Sequence, residues 1–266
     1  MKKFLILGTK GMLGNTIKKF LLKKNIKPIE VNKKITKKNI FEIINEINTH
    51  KPNYVINCIG KIKQKEIKII DDLYFVNGLI PLLLSKYLNE NILLIHPSSD
   101  CVYNGKAKKM YNHKSIRDAE DDYGKSKILG EASQNFRKKI LILRTSIIGE
   151  EIGNKKYGLL SWFTKNNLST LKGYDNHYWN GITTLEWSKI MFDICDKKNK
   201  FKILNIGLKY RISKYHLLKL INNIYFDKNN KKKIIKTKTF YCNRSLKPDI
   251  ICPSIATQIR ELKRFI

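Results

Sequence analysis

The sequence predicts an α/β fold, a parallel sheet covered by helices on both faces, with a smaller lobe toward the C-terminus. Three observations carry that expectation. Through the first 150 residues, short apolar runs ending in glycine or small polar residues alternate with segments of helical periodicity. The first run, Phe4-Leu5-Ile6-Leu7, opens directly into the glycine turn Gly8-Thr9-Lys10-Gly11-Met12-Leu13-Gly14. Beyond Gly149 the alternation stops, and aromatic and amide-rich stretches take over.

Taken in order, residues 4–7 form a buried strand, because an unbroken apolar run bounded by glycine suits a strand covered on both sides. The glycine turn follows, then a helix over 15–24 with Ile17, Phe20 and Leu21 on one face. Strand, glycine turn and helix make the phosphate-binding start of a dinucleotide site. Gly8 serves the tight turn, Gly11 admits a pyrophosphate close to the backbone, and Gly14 lets helix and strand approach. Lys10, Met12 and Leu13 lie within the same turn, and the free N–H groups of the helix start face the phosphates.

A second strand covers 28–31. Its tip, Asn32-Lys33-Lys34, is basic where an acidic residue would hold ribose hydroxyls, so Asn32 and Lys33 favour NADP(H) over NAD(H). A helix over 40–47 leads to a third strand over 54–58, ending at Cys58-Ile59-Gly60. Residues 71–88 read as a long helix kinked at Pro81. The fourth strand, 92–95, runs into His96-Pro97-Ser98-Ser99-Asp100-Cys101, where ligands of open α/β sheets bind. Residues 104–117 form a polar loop over the site. A helix then carries Tyr123 and Lys127, and a fifth strand over 140–143 ends in Arg144-Thr145-Ser146. The whole is a Rossmann-like doubly wound parallel sheet with a small C-terminal substrate-binding lobe. Residues 1–150 form the dinucleotide-binding domain, parts of 181–210 return to it, and 151–266 form the lobe. In the lobe we expect a helix over 157–167, an aromatic loop over 173–181 and a strand over 201–206. Ser213 caps a helix to residue 225, 228–238 is a solvated basic surface, and a short helix ends the chain.

Composition narrows the function. With 42% hydrophobic and 10% aromatic residues among 266, the chain can bury a core. The net charge of +31 raises nucleic-acid binding. However, only 7 of the 53 basic residues are Arg, the residue suited to bidentate phosphate and base contacts, and the lysines are spread from end to end. No specific nucleic-acid role is expected. The five cysteines are odd in number and lack paired metal spacing, so we expect free thiols, no metal and a cytoplasmic protein. The apolar start at Phe4 is cut short at Gly8 and no apolar run is long enough to span a membrane, so no membrane association is expected.

Tyr123 and Lys127 stand four apart, on one face of a helix, where a phenol and an ammonium lie side by side. The cation should lower the tyrosine pKa and suit it to proton transfer. With Ser99 at the strand end, the chain holds two hydroxyl donors and a cation in one region.

Four features in one order, the Gly8 turn, Ser98-Ser99-Asp100, Tyr123-x3-Lys127 and Leu143-Arg144-Thr145-Ser146, resemble the extended short-chain dehydrogenase/reductase superfamily. Within it the chain is similar to the dTDP-4-dehydrorhamnose reductase group, through runs such as Asn57-Cys58-Ile59-Gly60 and Gly181-Ile182-Thr183-Thr184-Leu185. The resemblance implies an NAD(P)H-dependent reductase of a nucleotide-linked 4-keto sugar in surface polysaccharide biosynthesis. Tyr123 would be the proton donor, Lys127 would bind the nicotinamide ribose, and Ser99 would hold the carbonyl oxygen. Cys58, Ile59 and Gly60 would lie beside the adenosine half of the cofactor, and Asn77 would support the catalytic lysine. Asp100, Cys101, Trp179, Asn180 and Arg244 would face the substrate, with Arg244 near its phosphates. Dehydratases of the superfamily follow the active-site Thr with two acids; here Asp100 is followed by Cys101, which argues against dehydration. An epimerase and a non-catalytic dinucleotide-binding subunit are the alternatives. The long helices near residues 73–88 and 126–136 are candidates for pairing two copies in a homodimer.

Overall fold

The computed structural model describes residues 2–31, 33–62, 70–112, 114–154, 157–195, 197 and 202–266. Seven strands form one parallel sheet. They are β1 (Phe4–Leu7), β2 (Ile29–Val31), β3 (Tyr54–Asn57), β4 (Leu93–Ser98), β5 (Ile140–Arg144) and, later in the chain, residues 203–207 and 250–251. β1 shows why the opening run is apolar throughout. Phe4 and Ile6 enter one core and Leu5 and Leu7 the other, and all four are fully buried.

Helices fill both faces. α1 (Met12–Lys23) follows the glycine turn, and α2 (Ile40–His50) buries its Ile40, Ile43, Ile44 and Ile47 stripe on the opposite face. The helix expected over 71–88 runs as α3 (Ile70–Tyr74), a π-helical turn over Phe75–Leu79 and α4 (Ile80–Tyr87). Pro81 lacks the N–H that would bond the Asn77 carbonyl, and the helix widens there instead of breaking. α5 (Asp122–Glu131) carries Tyr123 and Lys127.

β6 (Ile147–Ile148) and α6 (Leu159–Thr164) begin the lobe. The expected aromatic loop is instead strand: β7 (Thr170–Tyr174) and β8 (His177–Trp179) flank a turn. β9 (Ile182–Thr183) pairs with β6, and α7 (Thr184–Ile194) packs on α1, where Thr16 Oγ1 donates to Thr184 Oγ1 at 3.1 Å. β10 (Ile203–Gly207) joins the main sheet beside β5. β11 (Ile212–Ser213) pairs with β8, and α8 (Lys214–Tyr225) begins at the Ser213 cap.

The basic run expected at the surface contains β12 (Lys233–Thr237), parallel to β7. Its Ile234 packs on the core, which the surrounding lysines conceal. β13 (Cys242–Asn243) joins β8, β14 (Ile250–Ile251) is the sheet's edge strand, and α9 (Ile255–Phe265) closes the chain. The sheet order is therefore β14-β10-β5-β4-β3-β1-β2. The segment returning to the sheet extends beyond 181–210 to include β14. Among the described residues, no helix is long and apolar enough to cross a membrane.

Candidate active site

A cleft of about 430 Å³ opens at the carboxyl ends of β1, β3 and β4, beneath the lobe. Its floor is the glycine turn. Gly8 has a φ of 84°, and a Cβ on Gly14 would overlap the Gly8 carbonyl oxygen, so helix and turn meet at a distance only glycine allows. Lys10, Gly11, Met12 and Leu13 line this end, with Cys58, Ile59 and Gly60 from the β3 exit beside them. The Leu13 and Gly14 positions are buried, and α1 presents its unpaired first N–H groups here. The floor suits the phosphates of a dinucleotide.

The β4 exit supplies the next wall. Ser99 caps a short turn, accepting from the Cys101 amide (3.1 Å) and donating to Asp100 Oδ1 (3.0 Å). α5 rests directly on that turn. Asp121 caps the helix by accepting from the Gly124 amide at 2.8 Å, and a Cβ on Gly124 would collide with the Cys101 carbonyl. This contact sets Tyr123 on the cleft wall with Ser99. One turn on, Lys127 Nζ donates to the Pro97 carbonyl at 2.8 Å.

The Tyr123 pKa corrects an expectation. Burial, followed by the neighbouring Cys101, raises it above the usual tyrosine range; Ser99 pulls the other way, and Asp100 and Asp121 add to the rise. Lys127 offers less relief than its spacing suggests, because its ammonium is turned to the Pro97 carbonyl. Burial also pulls the lysine down to about 8, against Glu131, Cys101 and Cys58. Tyr123 is thus held as a protonated donor. His96, beneath Lys127, is kept neutral by burial first and by Lys127 second.

A polar network missed in the sequence holds α5 in place. Glu131, fully buried, accepts from Arg144 Nε (2.8 Å) and Nη2 (2.6 Å), from Ser98 Oγ (2.6 Å) and from Arg117 Nη1 (3.2 Å). Arg144 continues to the Tyr103 hydroxyl at 2.9 Å. Burial opposes the Glu131 charge, but Arg144 outweighs it and holds the carboxyl below its ordinary value. The available signal was spacing: Glu131 stands four residues past Lys127 and eight past Tyr123, on the same helical face. A second cavity of about 500 Å³ lies behind α5, against Arg117 and Arg144. Both arginines already serve Glu131, so the chemistry belongs to the cleft.

Other expected residues fall differently. Asn77 does not reach Lys127. Its amide accepts from the Lys61 N–H (2.9 Å) and donates to the Lys61 carbonyl (3.0 Å) and Ser126 Oγ (3.1 Å), clipping the β3 exit to α5. Asn180 is likewise consumed: it donates to the Leu208 and Leu246 carbonyls and accepts from the Leu246 amide, which removes it from any substrate contact. Trp179 is buried yet borders the cleft. Lys33 is paired with Glu42 at 2.8 Å and Glu46 at 3.7 Å, and Asn32 lies outside the described residues. Asp100, Cys101 and Arg244 line the lobe side. Lys214, which sequence reasoning passed over, stands with them.

A parallel doubly wound sheet, a glycine turn at its switch point and Ser99, Tyr123 and Lys127 in one cleft are the architecture of the extended short-chain dehydrogenase/reductase class. Residues 1–221 match the model of the RmlD substrate binding domain, and the chain belongs to that family. It is 30% identical over 162 residues to dTDP-4-dehydrorhamnose reductase of Aggregatibacter actinomycetemcomitans, covering 58% of this chain and 54% of that protein. It is also 30% identical over 155 residues to the spore coat polysaccharide biosynthesis protein SpsK of Bacillus subtilis, covering 55% and 53%. The matched segment thus spans about half the length of these curated relatives. A dTDP-4-dehydrorhamnose reductase from Clostridium acetobutylicum superposes with a TM-score of 0.84 at 22% identity, covering 98% of each chain. The Bacillus anthracis dTDP-4-dehydrorhamnose reductase in complex with NADP gives 0.84 at 16% identity over all of both chains. At such identities the shared feature is the fold.

Proposed function

We propose that this protein reduces a 4-keto group on a nucleotide-linked sugar, using a nicotinamide dinucleotide, in the supply of sugars for polysaccharide. The single observation carrying this reading is that Ser99, Tyr123 and Lys127 line the same cleft as the glycine turn. The curated relatives, a dTDP-4-dehydrorhamnose reductase and a spore coat polysaccharide biosynthesis protein, support the substrate class.

The cleft fits a dinucleotide because its floor is glycine backbone with no Cβ in the way. Gly8, Gly11 and Gly14 would hold the phosphates, and Cys58, Ile59 and Gly60 would flank the adenosine half. The chemistry supplied by a bound reduced nicotinamide is hydride transfer to the carbonyl carbon. As negative charge grows on the carbonyl oxygen, the Ser99 hydroxyl, turning from Asp100, and the Tyr123 phenol donate to it more strongly than to the ketone. Tyr123 then gives its proton to that oxygen. Lys127, turning from the Pro97 carbonyl, stabilises the resulting phenolate and binds ribose hydroxyls. NADP(H) is the favoured cofactor because Glu30, the acid at β2, is tied to Lys18 at 2.7 Å, although Lys33 is itself paired with Glu42.

The test is a panel of nucleotide-linked 4-keto sugars with NADPH and NADH. Stoichiometric loss of NADPH supports the reductase. Turnover without net cofactor loss identifies an epimerase, and bound cofactor with no turnover identifies a regulatory subunit; either would overturn the proposal.

A further inference from the structure

The cavity behind α5 is lined quite differently from the cleft. Its volume of about 500 Å³ falls in the range of small-molecule sites. Three isoleucines make its walls apolar: Ile128 of α5, Ile203 of β10 and Ile116, which is 83% exposed. Among the described residues, every charged group that lines it is a cation, namely Arg117, Arg144 and Lys202. Asp118, the acid next to Arg117 in sequence, accepts from the Asn104 amide at 2.9 Å and is not part of the lining.

The three cations differ in how far they are committed. Arg144 is fully used, with Nε and Nη2 on Glu131 and Nη1 on the Tyr103 hydroxyl (2.9 Å) and Asn205 Oδ1 (3.3 Å). Arg117 reaches the same carboxylate through Nη1 alone, at 3.2 Å, and makes no other hydrogen bond among the described residues. Glu131 keeps the Arg144 fork and the Ser98 hydroxyl without it. The Arg117 side chain is 37% exposed, and ion pairs with so exposed a partner contribute little. Lys202 donates to the Gln134 carbonyl at 2.7 Å, a neutral partner that leaves its charge unbalanced. Arg117 and Lys202 are therefore available to a ligand at small cost.

We propose that this cavity binds an organic anion, a carboxylate or phosphate monoester on an aliphatic body, with Arg117 and Lys202 as its charge partners. The planar guanidinium can meet either head group with two parallel charge-assisted bonds, a better match than its single bond to Glu131. The isoleucine walls take the aliphatic part out of water. No aromatic ring lines the cavity among the described residues, so nothing there stacks on a nucleobase, and the dinucleotide stays with the cleft. Arg117 belongs to the loop over the cleft and Glu131 to the helix of Tyr123 and Lys127, so the ligand takes over one tie between the two.

The experiment is calorimetric titration of the full chain with sodium octanoate and, separately, octyl phosphate, each with and without NADPH. The wild type should bind at least one probe at a single saturable site, and NADPH should leave that binding unchanged. Arg117→Met should weaken it about 10- to 100-fold, the worth of one charge-assisted bond. Ile116→Asp sets a carboxylate at an exposed position of the wall, where folding does not depend on the side chain, and should abolish binding. Octanoate binding alone identifies a carboxylate ligand and octyl phosphate binding alone a phosphate ligand; either supports the site. Failure of both probes, displacement by NADPH, or wild-type affinity in the Ile116→Asp protein overturns the proposal.

Discussion

Replacing Lys127 with methionine should make the protein more stable while removing its activity. The side chain is 7% exposed, its one hydrogen bond among the described residues goes to the Pro97 carbonyl, and the nearby carboxylate, Glu131, is occupied by two arginines. Burial lowers its pKa from 10.5 to about 8. At 1.36 kcal/mol per unit, holding the charge in the fold costs about 3 kcal/mol. Methionine keeps the length without the charge, and loss of the Pro97 bond subtracts about 1 kcal/mol, leaving a net gain of about 2 kcal/mol at pH 7. The sign follows from linkage. Between pH 8 and 10.5 the unfolded chain keeps a proton that the folded chain has released, so wild-type stability rises across that window. Urea unfolding of both proteins at pH 7 and above pH 10.5 provides the assay. The variant should lead at pH 7, and the gap should close at the higher pH. A variant less stable than wild type at pH 7, or a gap independent of pH, would refute the reasoning.

Three further outcomes follow from the same geometry. Glu131→Gln leaves Arg144 and Arg117 short of a counter-charge, which should cost about 3–5 kcal/mol by chemical denaturation; since the Glu131 carboxyl is held below 4.5, its contribution is present above that pH and lost as pH falls through the lower folded value. Gly124→Ala pushes a methyl group at the Cys101 carbonyl, displacing Tyr123 from Ser99, so kcat should fall by about 100-fold while NADPH titration is little changed. His96 is neutral in the fold and titrates below its ordinary 6.5, so stability should decline as pH drops below 6.5, and His96→Leu should flatten that slope in urea titrations between neutral and mildly acid pH.

Local signals were the legible ones. The run Phe4–Leu7, the glycine turn, the Ser213 cap and the Tyr123–Lys127 spacing each depend on residues a few places apart, and each is visible in the structure as a strand, a turn, a cap or a shared helical face. What stayed hidden depends on partners distant in sequence. β12 lies in a lysine-rich run and pairs with β7 some sixty residues earlier. Asn77 and Asn180 look like free amides until the backbone groups that satisfy them are seen. Glu131 and Lys214 are ordinary charges in a sequence with 53 basic residues, and only burial and the cleft distinguish them. The Tyr123 pKa was misjudged for a related reason: spacing supplies the cation, but the Pro97 carbonyl decides where the ammonium points.

The central claim, that Ser99, Tyr123 and Lys127 form a carbonyl-reducing site, is tested most directly by Tyr123→Phe. The variant loses only the phenolic oxygen. It should bind NADPH as wild type does, yet fail to consume it with a nucleotide-linked 4-keto sugar that the wild type reduces stoichiometrically. Wild-type turnover in the Tyr123→Phe protein would contradict the account.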